Sequence, residues 1–336
     1  MAQDEPSLEL VWGAFTGYQR TAVIKAAIEL DIFTHISAGV TSVDGLATRC
    51  SAAPRGVRAL LNHLVMDGFL TRDGEQYGLS PTAAAFLDRK APAYIGSAVT
   101  FIASPTVVEG FTKLTEAVRR GGSAIPNEAT LAPEHPVWVE FARAMAPLAG
   151  MSALLLANLL DVEHAPGWKV LDIAAGHGMF GIAFARLNPA VQVTAVDWKN
   201  VLAVASEHAA AAGVAERFRA LPGSALEVPF GTGFDVVLLP NFLHHFDIAA
   251  CERLLAKCRD ALAPGGRLAI VEFVPNDDRT GPPDAVRFSA VMLAGTPAGD
   301  AYTFAEYQTM LKNAGFPPPT LHELTPTPMR VVIATK

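Results

Sequence analysis

From Lys169 onward, short apolar runs alternate with stretches of helical periodicity, and no other feature of the chain narrows its fold as much. The runs at 170–174, 191–196, 234–239 and 267–273 are separated by segments long enough to hold a helix. A strand covered on both faces reads as such a run, and parallel strands need a crossover between them, usually helical. The spacing predicts a doubly wound α/β fold with a mostly parallel sheet. Two further runs, 320–324 and 329–334, lie close enough to pair as an antiparallel hairpin at the sheet edge. With 336 residues the chain has room for two domains, and 51% hydrophobic against 18% charged residues excludes disorder as its dominant state.

The first βα unit contains VLDIAAGHGMFG, residues 170–181. Gly176, Gly178 and Gly181 satisfy G-x-G-x-x-G, in which glycines permit a tight turn and a close approach of backbone to a ligand. Asp197 ends the next strand, nineteen residues beyond Gly178, where a carboxylate can hold two ribose hydroxyls. Asp172, four positions before Gly176, would repel a pyrophosphate but suits a ligand that carries an ammonium and a sulfonium. The loop therefore favours S-adenosyl-L-methionine over NAD. His177 within the loop either touches the cofactor's carboxylate or stands exposed.

The first ninety residues read as helix, helix, turn, helix and hairpin, a winged-helix order. Residues 19–36 form one helix on apolar spacing, Thr41 begins a short helix in the manner of a capping box with Asp44, and residues 53–68 form another, with Pro54 in its first turn and Gly68 as its stop. Asp73-Gly74 marks the hairpin. Eight Lys and Arg against ten Asp and Glu leave residues 1–90 at a net −2, and the whole chain carries −7, so a dimerisation unit fits better than a reader of DNA through residues 56–65. The apolar 19–36 helix suits burial against a second subunit.

Residues 91–165 read as helical, with a loop at 121–126 and a Pro-punctuated stretch at 133–136. The oily stretch 144–160 includes Pro147, Ser152 and Asn158 and is expected as a buried helix, not a membrane span. The acidic opening lacks the pattern of a signal peptide, and Cys50, Cys251 and Cys258 make no disulfide framework, so a cytoplasmic protein with packing cysteines is expected. His244-His245 with Asp247 could be read as a metal site, but no oxygen-rich cluster accompanies it, and no metal is expected.

The stretch FDVVLLPNFLHHFDIAACERLL at 234–255, followed by LAPGG at 262–266 and RLAIVE at 267–272, resembles the class I S-adenosylmethionine-dependent O-methyltransferases of small molecules that carry an N-terminal winged-helix dimerisation domain. The resemblance spans nearly the whole chain. It implies a Rossmann-like, seven-stranded sheet, with a dimerisation domain at 1–95, a helical linker contributing to the acceptor pocket at 96–165 and a cofactor-binding domain at 166–336. It implies a homodimer, with His244 as general base and Glu272 orienting it. Cofactor contacts fall on Asp172, Ala174, Gly176, Gly178, Asp197, Trp198, Gly223, Ser224 and Asn241. Acceptor contacts fall on Trp138, Phe141, Met145, His245, Phe288 and Met292, in an apolar pocket between helices of the two domains.

The residues leave some of these roles open. Trp138, Phe141 and Met151 fit either an acceptor wall or plain helical core, and of the two histidines His244 is expected inward and His245 exposed. Five positions depart from the family pattern: Ala174 replaces the first loop glycine, Ser224 an acid after the third strand, Pro240 a basic residue, Ala301 a second Glu, and His245 the Asp that often follows the catalytic His. An aromatic or polyketide-like hydroxyl is the expected acceptor. C- or N-methylation, other chemistry on the same fold, a nicotinamide oxidoreductase and a DNA-binding regulator are the alternatives.

Overall fold

The computed structural model describes residues 6–125 and 134–336. The ends of the two expected loop stretches at Pro126 and Pro133 lie outside the described residues. Two compact units divide the chain, Met1–Ser104 and Pro105–Lys336.

The first unit comprises α1 (Leu8–Glu29), α2 (Ile32–Ser37), α3 (Val43–Arg49), α4 (Pro54–Met66), the strands β1 (Leu70–Asp73) and β2 (Gln76–Leu79), α5 (Pro81–Phe86) and α6 (Ala98–Ile102). The single helix expected over 19–36 is broken at Asp31, whose φ of 54° is left-handed. Asp is one of the few side chains that tolerates this conformation. The break turns Ile32, Phe33 and Ile36 into a core that also holds Leu61, Leu64 and Tyr77. Ser42, not Thr41, caps α3, because its hydroxyl is the one that reaches the amide of Gly45. Asp73 pairs with Gln76, so the hairpin turn is Gly74-Glu75, one residue later than expected, with Gly74 at a φ of 57°. Early in α1, Leu8, Trp12, Phe15 and Tyr18 stand 65% to 81% exposed in the single chain.

In the second unit come α7 (Pro105–Thr112), α8 (Leu114–Arg120), α9 (Pro136–Leu159), β3 (Lys169–Ile173), α10 (Met179–Leu187), β4 (Gln192–Asp197), α11 (Lys199–Ala211), β5 (Phe218–Pro222) and β6 (Phe234–Pro240). They are followed by α12 (Ile248–Ala261), β7 (Leu262–Glu272), α13 (Pro283–Gly295), α14 (Phe304–Asn313), β8 (Thr320–Glu323) and β9 (Arg330–Thr335). The seven-stranded sheet runs β5-β4-β3-β6-β7-β9-β8. Strands β3 to β7 pair in parallel, and β9 joins β7 and β8 antiparallel. Strand β5 had no apolar run to announce it: Phe-Arg-Ala-Leu-Pro lies at the edge and needs only partial cover.

Alternation along β6 divides the core into two layers. Val236 and Leu238 face a cluster with Leu156, Phe180 and Phe184. Val237 and Leu239 face the opposite one, with Leu254 and Met310. Each fully buried side chain of this size contributes about 1.5–3 kcal/mol. Helix α9 is, among the described residues, the one helix long and apolar enough to cross a membrane by length and composition. Ala153, Leu156 and Ala157 on one of its faces belong to the core. Its other face corrects the expectation of a wholly buried helix, since Leu148, Met151 and Leu154 are exposed. Met151, at 53% exposure, is thus not part of the packed core.

Candidate functional site

The order of the strands reverses between β3 and β6, and in open α/β sheets ligands gather outside the carboxyl ends of the strands at such a switch point. Five of the residues singled out in the sequence sit at or just beyond those ends. Asp172 is near the end of β3, Asp197 ends β4, Gly223 follows β5, Asn241 follows β6 and Glu272 ends β7.

The glycine turn is built as the loop pattern required. Gly176 and Gly178 have φ of 55° and 75°. Gly181 leaves no room for a side chain, since a Cβ there would come within 2.6 Å of Val193 and 3.0 Å of Asp172 Oδ2. Its amide donates to that Oδ2 at 2.9 Å, while Oδ1 of Asp172 is buried with no hydrogen-bond partner. Desolvation, with a smaller contribution from Asp197, pushes the Asp172 carboxyl up to about 7. Asp197 accepts from the amides of Gly176 (2.8 Å) and Trp198 (2.7 Å), and burial holds it at about 6. Each of its oxygens retains a lone pair for a ribose hydroxyl. The unmatched Oδ1 and this buried acidic pair fit a ligand that brings positive charge and a ribose, and they fit a pyrophosphate poorly.

The remaining cofactor candidates surround the same edge. Ala174 adopts a left-handed φ of 51°, which a glycine would take without strain. Trp198 packs with Trp138 and Ala142 against Val201 and Val204. Gly223, with φ of 143°, donates to the Asp197 carbonyl at 2.9 Å, and Ser224 Oγ accepts from the amide of Leu226. Asn241, with φ of 52°, donates its amide to Val271 O at 2.8 Å.

His177 is buried and is not the exposed loop residue that one reading expected. Its Nδ1 accepts from the amide of Met179, and desolvation, helped by His208, lowers its pKa to about 3, so it is a neutral structural acceptor.

Beyond β6 the chain makes a 3-10 turn, Leu243–His245. His244 is buried, and its Nδ1 lies 2.5 Å from Glu272 Oε2. The other oxygen, Oε1, accepts from the amides of Phe242 (2.9 Å) and Leu243 (3.0 Å). The carboxylate is thereby pinned by the same turn that it serves, and Nε2 of His244 makes no hydrogen bond among the described residues. A histidine whose Nδ1 is held in this way has its ring orientation fixed, with Nε2 on the opposite side of the ring.

His245 is not the exposed partner expected. It is half-buried, with its ring 4.3 Å from that of His244 and edge-on to Trp138 at 5.4 Å. Desolvation, and then the charge of His244, push its pKa well down. Both imidazoles therefore turn inward. Asp247 caps α12 through the amide of Ala250.

Aromatic rings connect the glycine loop to this turn. His177 stacks on Phe141 at 6.1 Å, Phe141 meets Trp138 at 5.9 Å, and Trp138 meets His245. His244 meets Phe288 at 4.7 Å, and Phe288 stacks on Phe273 at 4.3 Å. Met292 is buried one turn beyond Phe288 on α13, and Met145, half-buried, follows Phe141 by one turn on α9. Phe242 and Phe246, in contact at 5.0 Å, join the wall without having been singled out. Their place beside the two histidines was the only signal that could have found them.

A sequence profile for the O-methyltransferase domain matches residues 111–317, and one for the O-methyltransferase dimerisation domain matches residues 12–89. The 3-hydroxy-5-methyl-1-naphthoate 3-O-methyltransferase of Streptomyces sahachiroi is 32% identical over 306 residues, covering 89% of this chain and 87% of its own. A crystal structure of a Nostoc punctiforme protein, 51% identical, superposes with a TM-score of 0.93 over 99% of this chain and 100% of its own. Human N-acetylserotonin methyltransferase in complex with SAM shares the fold at 22% identity, with a TM-score of 0.86 over 100% of this chain and 99% of its own. The acidic, glycine-turned edge of the sheet and the two matched domains lead to one conclusion: this chain belongs to the S-adenosylmethionine-dependent O-methyltransferases that carry an N-terminal dimerisation domain.

Proposed function

We propose that the chain methylates a hydroxyl of a planar aromatic or polyketide-like small molecule, with His244 as general base and Glu272 as the residue that orients it. The observation that carries this reading is the buried 2.5 Å contact between His244 Nδ1 and Glu272 Oε2. S-adenosylmethionine, when bound, supplies an electrophilic methyl on a sulfonium. Gly176, Gly178, Asp172 and Asp197 are the residues that would hold it, with Ala174, Trp198, Gly223, Ser224 and Asn241 around them. The chain's own work is to place the acceptor oxygen and remove its proton. With Nδ1 donating to the carboxylate, Nε2 keeps its lone pair for the acceptor hydroxyl, and Glu272 balances the imidazolium that forms.

Trp138, Phe141, His245 and Phe288 offer flat aromatic surfaces and no formal charge, which suits an uncharged ring better than an aliphatic or highly polar acceptor. Met145 and Met292 supply adaptable apolar surface at its margin. The helices of 96–165 contribute part of this wall, 166–336 the cofactor edge, and 1–95, a winged-helix unit, the subunit contact. The exposed Leu8, Trp12, Phe15 and Tyr18 of α1 support a homodimer, because a stretch of this kind on a monomer exposes apolar area to water without return. Three unpaired cysteines agree with action in a reducing cytoplasm.

Calorimetry with S-adenosylhomocysteine should give micromolar affinity that Asp197→Ala abolishes. Mass-spectrometric screening of phenols, flavonoids and quinones with methyl-labelled cofactor should then find labelled ether products. Absence of any binding would remove the assigned cofactor residues, and exclusive labelling of carbon or nitrogen would replace the oxygen acceptor. Sedimentation of Trp12→Glu with Phe15→Glu should yield monomers, and an unchanged dimer would move the interface elsewhere.

A further inference from the structure

We propose that Tyr302 and Cys251 are positioning residues for His244, holding the histidine turn by its carbonyl groups as Glu272 holds it by its amides. The inference rests on the reading of His244 as the base. The turn from Phe242 to Phe246 is gripped on both of its polar sides. Its amides at Phe242 and Leu243 donate to Glu272 Oε1. Among its carbonyls, Leu243 O accepts from Cys251 Sγ at 3.2 Å and Phe246 O accepts from Tyr302 Oη at 2.5 Å. Burial pushes the Cys251 thiol up to about 12 and the Tyr302 phenol higher still, so both groups remain donors at neutral pH.

The third carbonyl, that of His244, is met by Gly299. A Cβ at Gly299 would lie 2.0 Å from His244 O and 2.9 Å from the carbonyl carbon of His245, so the backbone there can approach only as glycine. Gly299 is itself tied to the acceptor wall. Its amide donates to Thr296 Oγ1 at 2.9 Å, and that hydroxyl donates to Met292 O at 2.7 Å on α13. The strap from Thr296 to Tyr302 thus joins the helix that carries Phe288 and Met292 to the turn that carries both histidines. Among the described residues, these hydrogen bonds of Cys251, Tyr302, Gly299 and Thr296 run to the histidine turn, along the strap and to α13, and not to the assigned cofactor residues.

A 2.5 Å contact leaves little slack, and a displacement of about 1 Å in a catalytic array can cost about a hundredfold. Tyr302→Phe removes one hydroxyl and leaves the ring in the core. Tyr307 provides the control: its ring meets that of Tyr302 edge-on at 6.0 Å, yet its buried hydroxyl has no partner.

The test compares full-length parent, Tyr302→Phe, Cys251→Ala, Tyr307→Phe and His244→Ala on a weakly acidic phenol and on a nitrophenol already ionised at the assay pH. Tyr302→Phe should lower kcat on the weak phenol by roughly ten- to a hundredfold. It should leave the ionised phenol and the KM for S-adenosylmethionine unchanged, and Tyr307→Phe should match the parent. Proton NMR should also show the low-field Nδ1 proton of His244 shifted or broadened in Tyr302→Phe.

Equal losses on both phenols, or no loss with an unmoved proton resonance, would overturn the proposal. Should Tyr302→Phe fail to fold, Cys251→Ala carries the same expectations. If neither phenol is a substrate, the resonance decides alone, its displacement supporting the proposal and its constancy overturning it. Parent-like activity of His244→Ala on the weak phenol would instead refute the underlying assignment of the base.

Discussion

Replacing Glu272 by Gln should disable the base while leaving the fold in place. The carboxylate now satisfies three donors: two backbone amides on Oε1 and the His244 imidazole on Oε2. A glutamine amide has one acceptor oxygen and one donor nitrogen. Leaving two buried amides unsatisfied would cost about 1–3 kcal/mol each, so the oxygen stays with the backbone and the NH2 group turns to the ring. His244 can then accept only at Nδ1, which moves its proton to Nε2 and removes the lone pair that faces the acceptor. The alternative tautomer sets donor against donor in a buried site. Loss of general-base help is worth about 10² to 10⁴ in rate, or about 3–5 kcal/mol of barrier.

The assay is initial velocity with labelled S-adenosylmethionine and a weakly acidic phenol, alongside affinity for S-adenosylhomocysteine and thermal melting. Turnover should fall by at least a hundredfold with affinity held. The double variant Glu272→Gln with His244→Ala should be little worse than His244→Ala, because the two residues act as a unit. Turnover of Glu272→Gln within threefold of the parent would refute the tautomer argument.

Three other outcomes follow from particular residues. Asp172 at about 7 and Asp197 at about 6 are both raised from the ordinary carboxylate value near 4, so the ligand-free fold keeps protons that the unfolded chain has lost. The stability these groups contribute is present below about pH 4 and is lost as pH rises through 6 to 7. A positively charged group favours their ionised forms, so S-adenosylhomocysteine should bind more tightly as pH rises across this window and release protons, and calorimetry in buffers of different ionisation enthalpy that found proton uptake would contradict this. Ala174→Gly should raise the melting temperature slightly, by up to about 1 kcal/mol of stability, as it relieves a left-handed alanine; a clear loss would mean that the methyl group packs to advantage. Tyr307→Phe removes a buried hydroxyl without a partner and should be neutral or stabilising in a denaturant titration, whereas a loss above about 1 kcal/mol would reveal an unseen partner.

The parallel core of the sheet was legible because buried strands carry continuous apolar runs, and β3, β4, β6 and β7 all did. The edge strand β5 was not, since Phe218–Pro222 is partly exposed and alternates weakly. Periodicity likewise carried the helix of 19–36 straight through Asp31, where a single left-handed residue reverses the chain without disturbing the apolar spacing. At the site, glycines and acids at strand ends could be placed from spacing alone. The inward turn of His245 could not, because it depends on Trp138, more than a hundred residues earlier, offering its edge. Tyr302 and Gly299 reach the histidine turn from a connection more than fifty residues later, and nothing local marks them. The positive φ at Ala174 shows the reverse case: the family pattern calls for glycine there, and the backbone has kept the glycine conformation under an alanine.

Methyl transfer to phenols of graded acidity by the parent and by His244→Ala tests the central claim most directly, with the labelled position located by NMR. If His244 takes the acceptor's proton, the parent's kcat should depend only weakly on phenol acidity. The variant should fall furthest behind on the least acidic phenols and converge with the parent on those already ionised. Parallel profiles for the two proteins, or a methyl group found anywhere but on oxygen, would contradict the account.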